Sequence, residues 1–203
     1  MSAATRTLSE IRATCTKAAR GAGCPWGLAE EAGLAARLLE SHGLPGVRVL
    51  ARLFETPRDC QPGCSGGPRC GIRTMATMSD RLEAREPLPT GGPVAAPLLL
   101  AAPLLLVARQ GGRNTILSWP GAEIRCMTGG VAAWGTLDAP LADGVRLEIA
   151  SESTAAAHGG DWRARPVDVD DWAALERLAA RTLVPETTAS RLGGAGPGAE
   201  TGD

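Results

Sequence analysis

The hydrophobic pattern at the start of the chain predicts a helix that begins just after Thr7. Apolar residues recur there at helical spacing, at Leu8, Ile11, Cys15 and Ala18. Thr7 and Glu10 stand three residues apart, which is the spacing of a capping box. Gly21-Ala-Gly23 then interrupts the pattern, so we expect the first helix to end at this segment.

A second and a third helix are predicted to follow directly. Pro25 is suited to open the second helix, which Gly43 and Pro45 end. Gly33 lies inside this helix, where it predicts a close approach of another backbone. The shared face of the second helix consists of Leu28, Ala32, Ala35 and Leu39, and that of the short third helix of Val47, Leu50, Ala51 and Phe54.

The centre of the chain changes character twice. Residues 56–92 are rich in Pro, Gly, Cys and charge without a clear period, which predicts an irregular connection. The apolar run from Pro97 to Arg109 fits either a buried helix interrupted at Pro103 or two short apolar segments, and periodicity does not separate these in a run of Leu.

Strands are predicted after this apolar run. The segments 115–119 and 122–126 are joined by Pro120-Gly121, which is suited to the turn of a β-hairpin. Val145 to Ile149 alternates like a half-buried strand.

A final helix is predicted near the C-terminus, capped by Asp168 or Asp170 and ended by Pro185. Helices at both ends of a β-rich middle favour an α+β fold with one sheet and the helices gathered on one face. We expect a single globular domain over residues 1–192 and a flexible tail over 193–203, which holds only small and polar residues.

Composition narrows the classes of function. The 21 basic and 22 acidic residues nearly cancel, so the chain lacks the positive field that nucleic acids or anionic membranes require. The apolar run from Val94 to Ala108 is shorter than the roughly 20 residues of a membrane-spanning helix. No secretory signal is visible at the N-terminus. We therefore expect a soluble cytoplasmic protein that binds neither nucleic acid nor membrane.

Two short motifs contain residues that could act in chemistry, but neither predicts a functional site. Cys60, Cys64 and Cys70 could ligate a metal, but their spacing differs from the C-x2-C pairs of zinc sites and the chain has only two His, so we expect no metal. Ser41-His42-Gly43 ends the second helix, where we expect a partly exposed His42 that caps helix carbonyls.

Two Gly-punctuated blocks stand near opposite ends of the chain. The first runs from Lys17 to Gly33 and contains KAARGAG followed by WGLAEEAG, and the second runs from Arg181 to Gly196 and contains RTLVP, SR and GAG. Together they resemble a bacterial family catalogued as domain of unknown function 3726. Because that family has no established activity, the resemblance implies a family and no reaction.

These blocks also supply the candidate site, because they hold polar and aromatic side chains among glycines. We expect the blocks to meet in space, since Glu30 and Glu31 carry charge complementary to Arg181 and Arg191. The expected ligand is a small anion held by Arg20 and Arg191 near the Gly21–Pro25 helix start. The candidate ligand-binding residues are Arg20, Gly21, Gly23, Trp26, Glu30, Glu31, Arg181, Ser190 and Arg191.

Three functions remain open at this point. The first is binding of a small anionic ligand or a protein partner through this surface. The second is a small metal-independent enzyme that uses Glu30 or Glu31 with Arg20 on an anionic substrate. The third is an accessory subunit that docks a larger enzyme through a tryptophan-bearing face.

Overall fold

The structure, a computed structural model, describes residues 2–55, 68–84, 92–110, 113–149 and 164–183. Its helices are α1 (Leu8–Gly21), α2 (Trp26–Ser41), α3 (Gly46–Glu55), α4 (Gly71–Ala84), α5 (Ala101–Arg109) and α6 (Val169–Ala180), with a 3-10 helix at Pro97–Leu100. Its strands are β1 (Ala3–Arg6), β2 (Arg69–Cys70), β3 (Val94–Ala95), β4 (Thr115–Trp119), β5 (Ala122–Met127), β6 (Gly130–Gly135), β7 (Leu141–Ala142), β8 (Arg146–Ile149) and β9 (Arg165–Asp168). This arrangement confirms the α+β fold.

The N-terminal helices form where the sequence predicts them. The capping box of α1 is present, because the hydroxyl of Thr7 accepts a hydrogen bond from the Glu10 amide at 3.2 Å and the Thr7 amide donates to the Glu10 carboxylate at 2.8 Å. Pro25 is the N-cap residue of α2. At the other end of the chain, Asp168 caps α6 by accepting from the amides of Asp170 and Asp171.

The predicted hairpin is confirmed, but the expectation of a single sheet is wrong. Within the described residues the strands form a four-stranded sheet in the order β6-β5-β4-β8, a three-stranded sheet β2-β3-β7 and a two-stranded sheet β1-β9. The last of these pairs antiparallel strands from the two ends of the chain. Most of the additional strands escape prediction because pieces of two to four residues are too short to show a period. The six-residue β6 also escapes prediction, because its buried and exposed positions do not alternate.

The expectation of an irregular segment over residues 56–92 is wrong at its centre. Gly71–Ala84 forms α4, whose buried positions include Ile72, Met75 and Met78. The helical period is present there but is obscured by interspersed Thr and Arg and by flanking Gly and Pro. Residues 56–67 and 85–91 lie outside the described residues, as does the proposed tail 193–203.

The apolar run around Pro103 forms one buried unit. A 3-10 turn leads directly into α5, and Pro103 lies in the first turn of that helix, where its missing N–H costs no hydrogen bond. The alternative of a buried helix is therefore confirmed, but the expected interruption at Pro103 is wrong. Leu98, Leu99, Leu104 and Leu105 are buried in the core, and α5 packs against β4, β5 and β6.

Glycines set the distance between the N-terminal helices. A β-carbon on Gly33 of α2 would overlap the Thr16 hydroxyl and come within 2.7 Å of the Arg12 carbonyl oxygen, both on α1. A β-carbon on Gly21 would overlap the Leu178 carbonyl oxygen of α6 and lie 2.7 Å from the carbonyl carbon. The predicted close approach at Gly33 is confirmed, and Gly21 allows a second one.

We expect Gly21→Ala to lower the free energy of unfolding by about 1–3 kcal/mol, because the added methyl group meets backbone that cannot move aside cheaply. Gly27→Ala is the matched control, since nothing lies within 4 Å of a β-carbon there. It should be neutral or stabilise α2 by up to about 1 kcal/mol, the difference in helix propensity. Urea unfolding measures both, and a Gly21→Ala protein as stable as the parent contradicts the packing account.

Candidate functional site

The two Gly-punctuated blocks meet where α1 ends against α6. Over Arg181–Leu183, the part of the second block that the structure describes, the prediction that they meet is confirmed, since a β-carbon on Gly21 would lie 3.4 Å from the Arg181 β-carbon. The pairing of Arg181 with Glu30 or Glu31 stays a prediction. Between them lies an open cleft of about 380 Å³, which we call the cationic cleft. It is lined by Thr16, Lys17, Arg20, Gly21, Trp26, Arg181 and Thr182.

Arg20 is held in place by the turn that ends α1. Gly23 adopts a φ of +94°, a left-handed conformation that glycine adopts without strain, and the chain reverses there. The reversal brings the Cys24 carbonyl oxygen within 2.6 Å of Arg20 Nη1 and sets the guanidinium carbon 5.8 Å from the centre of the Trp26 ring. One hydrogen bond and one cation–π contact thus orient a guanidinium that has five N–H donors in total.

The charges around the cationic cleft do not cancel. Each helix terminus carries roughly half an elementary charge, so the C-termini of α1 and α6 contribute about −1 together. Among the described residues, Lys17, Arg20 and Arg181 supply three positive charges to the lining and no acidic side chain joins them. The N-terminus of α2 adds roughly +0.5 nearby. A positive surplus remains after the helix ends are neutralised.

The candidate residues from the sequence divide into three groups. Arg20, Gly21, Trp26 and Arg181 line the cationic cleft, and Gly23 shapes its turn. Glu30 is exposed and Glu31 is half-buried on α2, and neither lines this cleft. Ser190 and Arg191 lie outside the described residues.

Lys17, Thr16 and Thr182 line the cleft although the sequence analysis did not select them. A signal was present, because Thr16, Lys17, Arg20 and Gly21 are spaced three and four residues apart and so share one face of a helix.

A second cleft of about 300 Å³ lies where the junction of α2 and α3 faces β9 and the start of α6. We call it the Glu40 cleft. Its lining residues are Glu40, Gly43, Leu44, Pro45, Val47, Arg48, Arg165, Pro166, Val167, Asp168 and Asp171.

Glu40 is a buried carboxyl group, with 7% of its surface exposed. Its Oε1 accepts a hydrogen bond of 2.9 Å from the amide of Val47, so it caps the N-terminus of α3 from seven residues upstream. Burial raises the pKa of Glu40 to about 7, against the opposing effects of the Val47 and Gly46 amides and the charges of Arg165 and Arg48. This carboxyl therefore titrates near neutral pH.

Sequence reasoning missed Glu40, although a signal was available. Ala29, Gly33 and Ala36 precede it at spacings of four, three and four residues, and all three are buried. A carboxylate that continues such a series lies on a core-facing position of the helix, where charged side chains are rare.

Ion pairs brace one wall of the Glu40 cleft. Arg48 Nε lies 3.1 Å from the Asp171 carboxylate, and Arg48 Nη1 lies 3.8 Å from the Asp138 carboxylate. Arg52 Nη1 approaches the same Asp138 oxygen at 2.7 Å. These contacts join α3 to α6 and to the segment that follows β6.

His42 caps the end of α2, as expected, but the expectation of partial exposure is wrong. Its ring is buried, and Nδ1 lies 2.9 Å from the Leu38 carbonyl oxygen. Burial lowers the pKa of His42, with a smaller contribution in the same direction from Arg109. The sequence pattern does not reveal this burial.

Metal ligation has no support in the part of the chain that the structure describes, where no group of three His, Cys, Asp or Glu side chains could hold an ion. Cys60 and Cys64 lie outside that part, so the absence of a metal at the cysteine motif stays a prediction. In the described residues, no helix combines the length and the apolarity that crossing a bilayer needs.

Comparison with known proteins identifies a family and no activity. Residues 6–85 match the family described as protein of unknown function (DUF3726), which supports the resemblance drawn from the sequence. No curated protein and no solved structure matches the chain. The match spans α1 to α4 and therefore includes Glu40 and the α1 side of the cationic cleft.

We expect Glu40 to make the protein less stable as the pH rises from about 4.5 to 7. The folded state raises the pKa of this carboxyl from 4.5 to about 7, so it binds the proton more tightly than the unfolded chain does. The contribution of Glu40 to the free energy of unfolding is complete below pH 4.5 and is lost as the pH rises through 7. It amounts to about 3 kcal/mol at most.

Glu40→Gln should remove this part of the pH dependence, since the amide keeps an oxygen for the Val47 amide and does not titrate. Denaturant unfolding from pH 4 to 8 measures the difference from the parent protein. Glu30→Gln, the same change at an exposed position of α2, is the control. Parallel stability curves for the parent and Glu40→Gln proteins would refute the assignment.

Proposed function

We propose that this protein binds a small carboxylate or phosphate in the cationic cleft. The observation that carries the proposal is the lining itself, in which Lys17, Arg20 and Arg181 face one space with two hydroxyl side chains and an indole. Arg191 remains a predicted contributor from the second block.

The orientation of Arg20 favours recognition of a planar anion. Its guanidinium is already bound to the Cys24 carbonyl through one nitrogen and lies against Trp26. An arginine side chain that is ordered before binding loses less conformational entropy on binding, and its remaining donors can pair bidentately with a carboxylate or phosphate.

The alternatives have weaker support. An enzyme that uses Glu30 or Glu31 with Arg20 would need a carboxylate in the cleft, and neither glutamate lines it. A protein partner or a larger enzyme could dock on Trp26, whose surface is 62% exposed. One exposed indole next to three cations favours a small anion over a broad apolar interface.

A calorimetric titration with phosphate, citrate and a panel of monocarboxylates tests the proposal. We expect one of these anions to bind the parent protein. Arg20→Ala and Arg181→Ala should each weaken its binding by roughly 10-fold to 100-fold, the effect of losing a charge-assisted hydrogen bond. Arg20→Lys should also weaken it, because a point charge does not replace the guanidinium fork.

Arg146→Ala is the matched control, since Arg146 is exposed on β8 and does not line the cleft. It should leave the affinity unchanged. The proposal is wrong if none of the anions binds, or if all three alanine variants lose affinity equally, which would indicate non-specific attraction to positive charge.

A further inference from the structure

The Glu40 cleft contains charges of both signs, unlike the cationic cleft. Among the described residues, Arg48 and Arg165 line it together with Glu40, Asp168 and Asp171. Its formal charge is therefore −1 when Glu40 is ionised and zero when Glu40 is protonated. The remaining wall is apolar and includes Leu44, Pro45, Val47 and Val167.

The backbone allows Arg165 and Glu40 to line the same cleft. Gly43, with a φ of +75°, ends the turn after α2, and a β-carbon on it would lie only 3.1 Å from Arg165 Nη2. Gly43 thus leaves room for the Arg165 guanidinium beside the α2–α3 junction. Glu40, from the end of α2, lines the same cleft and is more than nine-tenths buried.

We propose that the Glu40 cleft binds a small zwitterion, an α-amino acid with an apolar side chain, whose ammonium group lies by Glu40 and whose carboxylate lies by Arg165. This inference concerns a cleft separate from the cationic cleft and does not rest on the function proposed for it.

The mixture of charges is the reason for choosing a zwitterion. A simple anion that enters the cleft meets three carboxyl groups, and a simple amine meets two guanidinium groups. A ligand with both charges can place each one by its opposite. The volume of about 300 Å³ is at the lower end of ligand sites, which run from roughly 300 to 1,000 Å³. The apolar wall can cover an aliphatic side chain.

Binding of such a ligand should release a proton. The pKa of Glu40 is about 7 in the empty cleft, so the carboxyl is largely protonated at pH 6.5. An ammonium group beside it favours the ionised form and lowers the pKa. The other groups that act on Glu40 are the guanidinium groups of Arg48 and Arg165 and the amides of Val47 and Gly46, and none of them loses a proton in this range. Burial and the charge of Glu40 raise the pKa of the nearby Cys15 thiol, so it also keeps its proton.

Isothermal titration calorimetry at pH 6.5 tests the proposal with the apolar α-amino acids as probes. Titrations in two buffers with different ionisation enthalpies, MES and imidazole, report the protons exchanged on binding. We expect at least one probe to bind with net proton release. The amine and the carboxylic acid that carry the same aliphatic group, isobutylamine and isovalerate for valine, should bind at least 10-fold more weakly.

Two variants test the two charged contacts one at a time. Glu40→Gln should abolish the proton release and weaken binding, and Arg165→Met should weaken binding at least 10-fold. Arg20→Ala, in the cationic cleft, should change neither quantity, so failure of one proposal is distinguishable from failure of the other.

Three results would overturn the inference. These are no binding of any probe at 10 mM, equal binding of the amine or the acid alone, and proton release that persists in Glu40→Gln. If Glu40→Gln does not fold, the comparison of valine with its two half-molecules on the parent protein still decides the matter.

Discussion

Close packing of α1 against α2 and α6 is the constraint on which both clefts depend. It is possible because Gly33 and Gly21 bring the helix backbones closer than any residue with a β-carbon allows. The contact at Gly21 places the ends of α1 and α6 side by side, and with them Arg20 and Arg181. The contact at Gly33 sets the position of α2, whose last turn holds Glu40 close enough to the Cys15 thiol to raise its pKa. The two glycines that allow the close packing thus also determine where the charged side chains of both clefts lie.

The two clefts use charge in different ways. In the cationic cleft, positive side chains exceed what the neighbouring helix ends neutralise, and all three are exposed. Their pairing with a ligand is therefore screened by salt and water. In the Glu40 cleft, one carboxyl is withdrawn from water, and burial has a larger effect on its pKa than two nearby guanidinium groups. Desolvation, rather than direct charge pairing, dominates there.

The family match covers the first four helices, α1 to α4, and ends just after α4. The second block, α6 and the four-stranded sheet lie beyond the matched residues. The cationic cleft is consequently built from α1 and the start of α2 inside the match and from the residues that follow α6 outside it, whereas Glu40 and Arg48 lie inside. A family of unknown function supplies no reaction, so the chemistry of this chain has to be argued from its own side chains.

The sequence by itself determined the elements whose signals are local. The capping box at Thr7, the glycine turn after α1, the Pro120-Gly121 hairpin and the Asp168 cap each depend on residues within a few positions of one another, and all four are present. Tertiary structure alone decided that β1 pairs with β9, that Pro103 is accommodated in the first turn of α5 and that Glu40 is buried. Those outcomes depend on segments far apart in the chain. Burial and strand pairing are properties of packed surfaces, and a pattern along one segment does not reveal what packs against it.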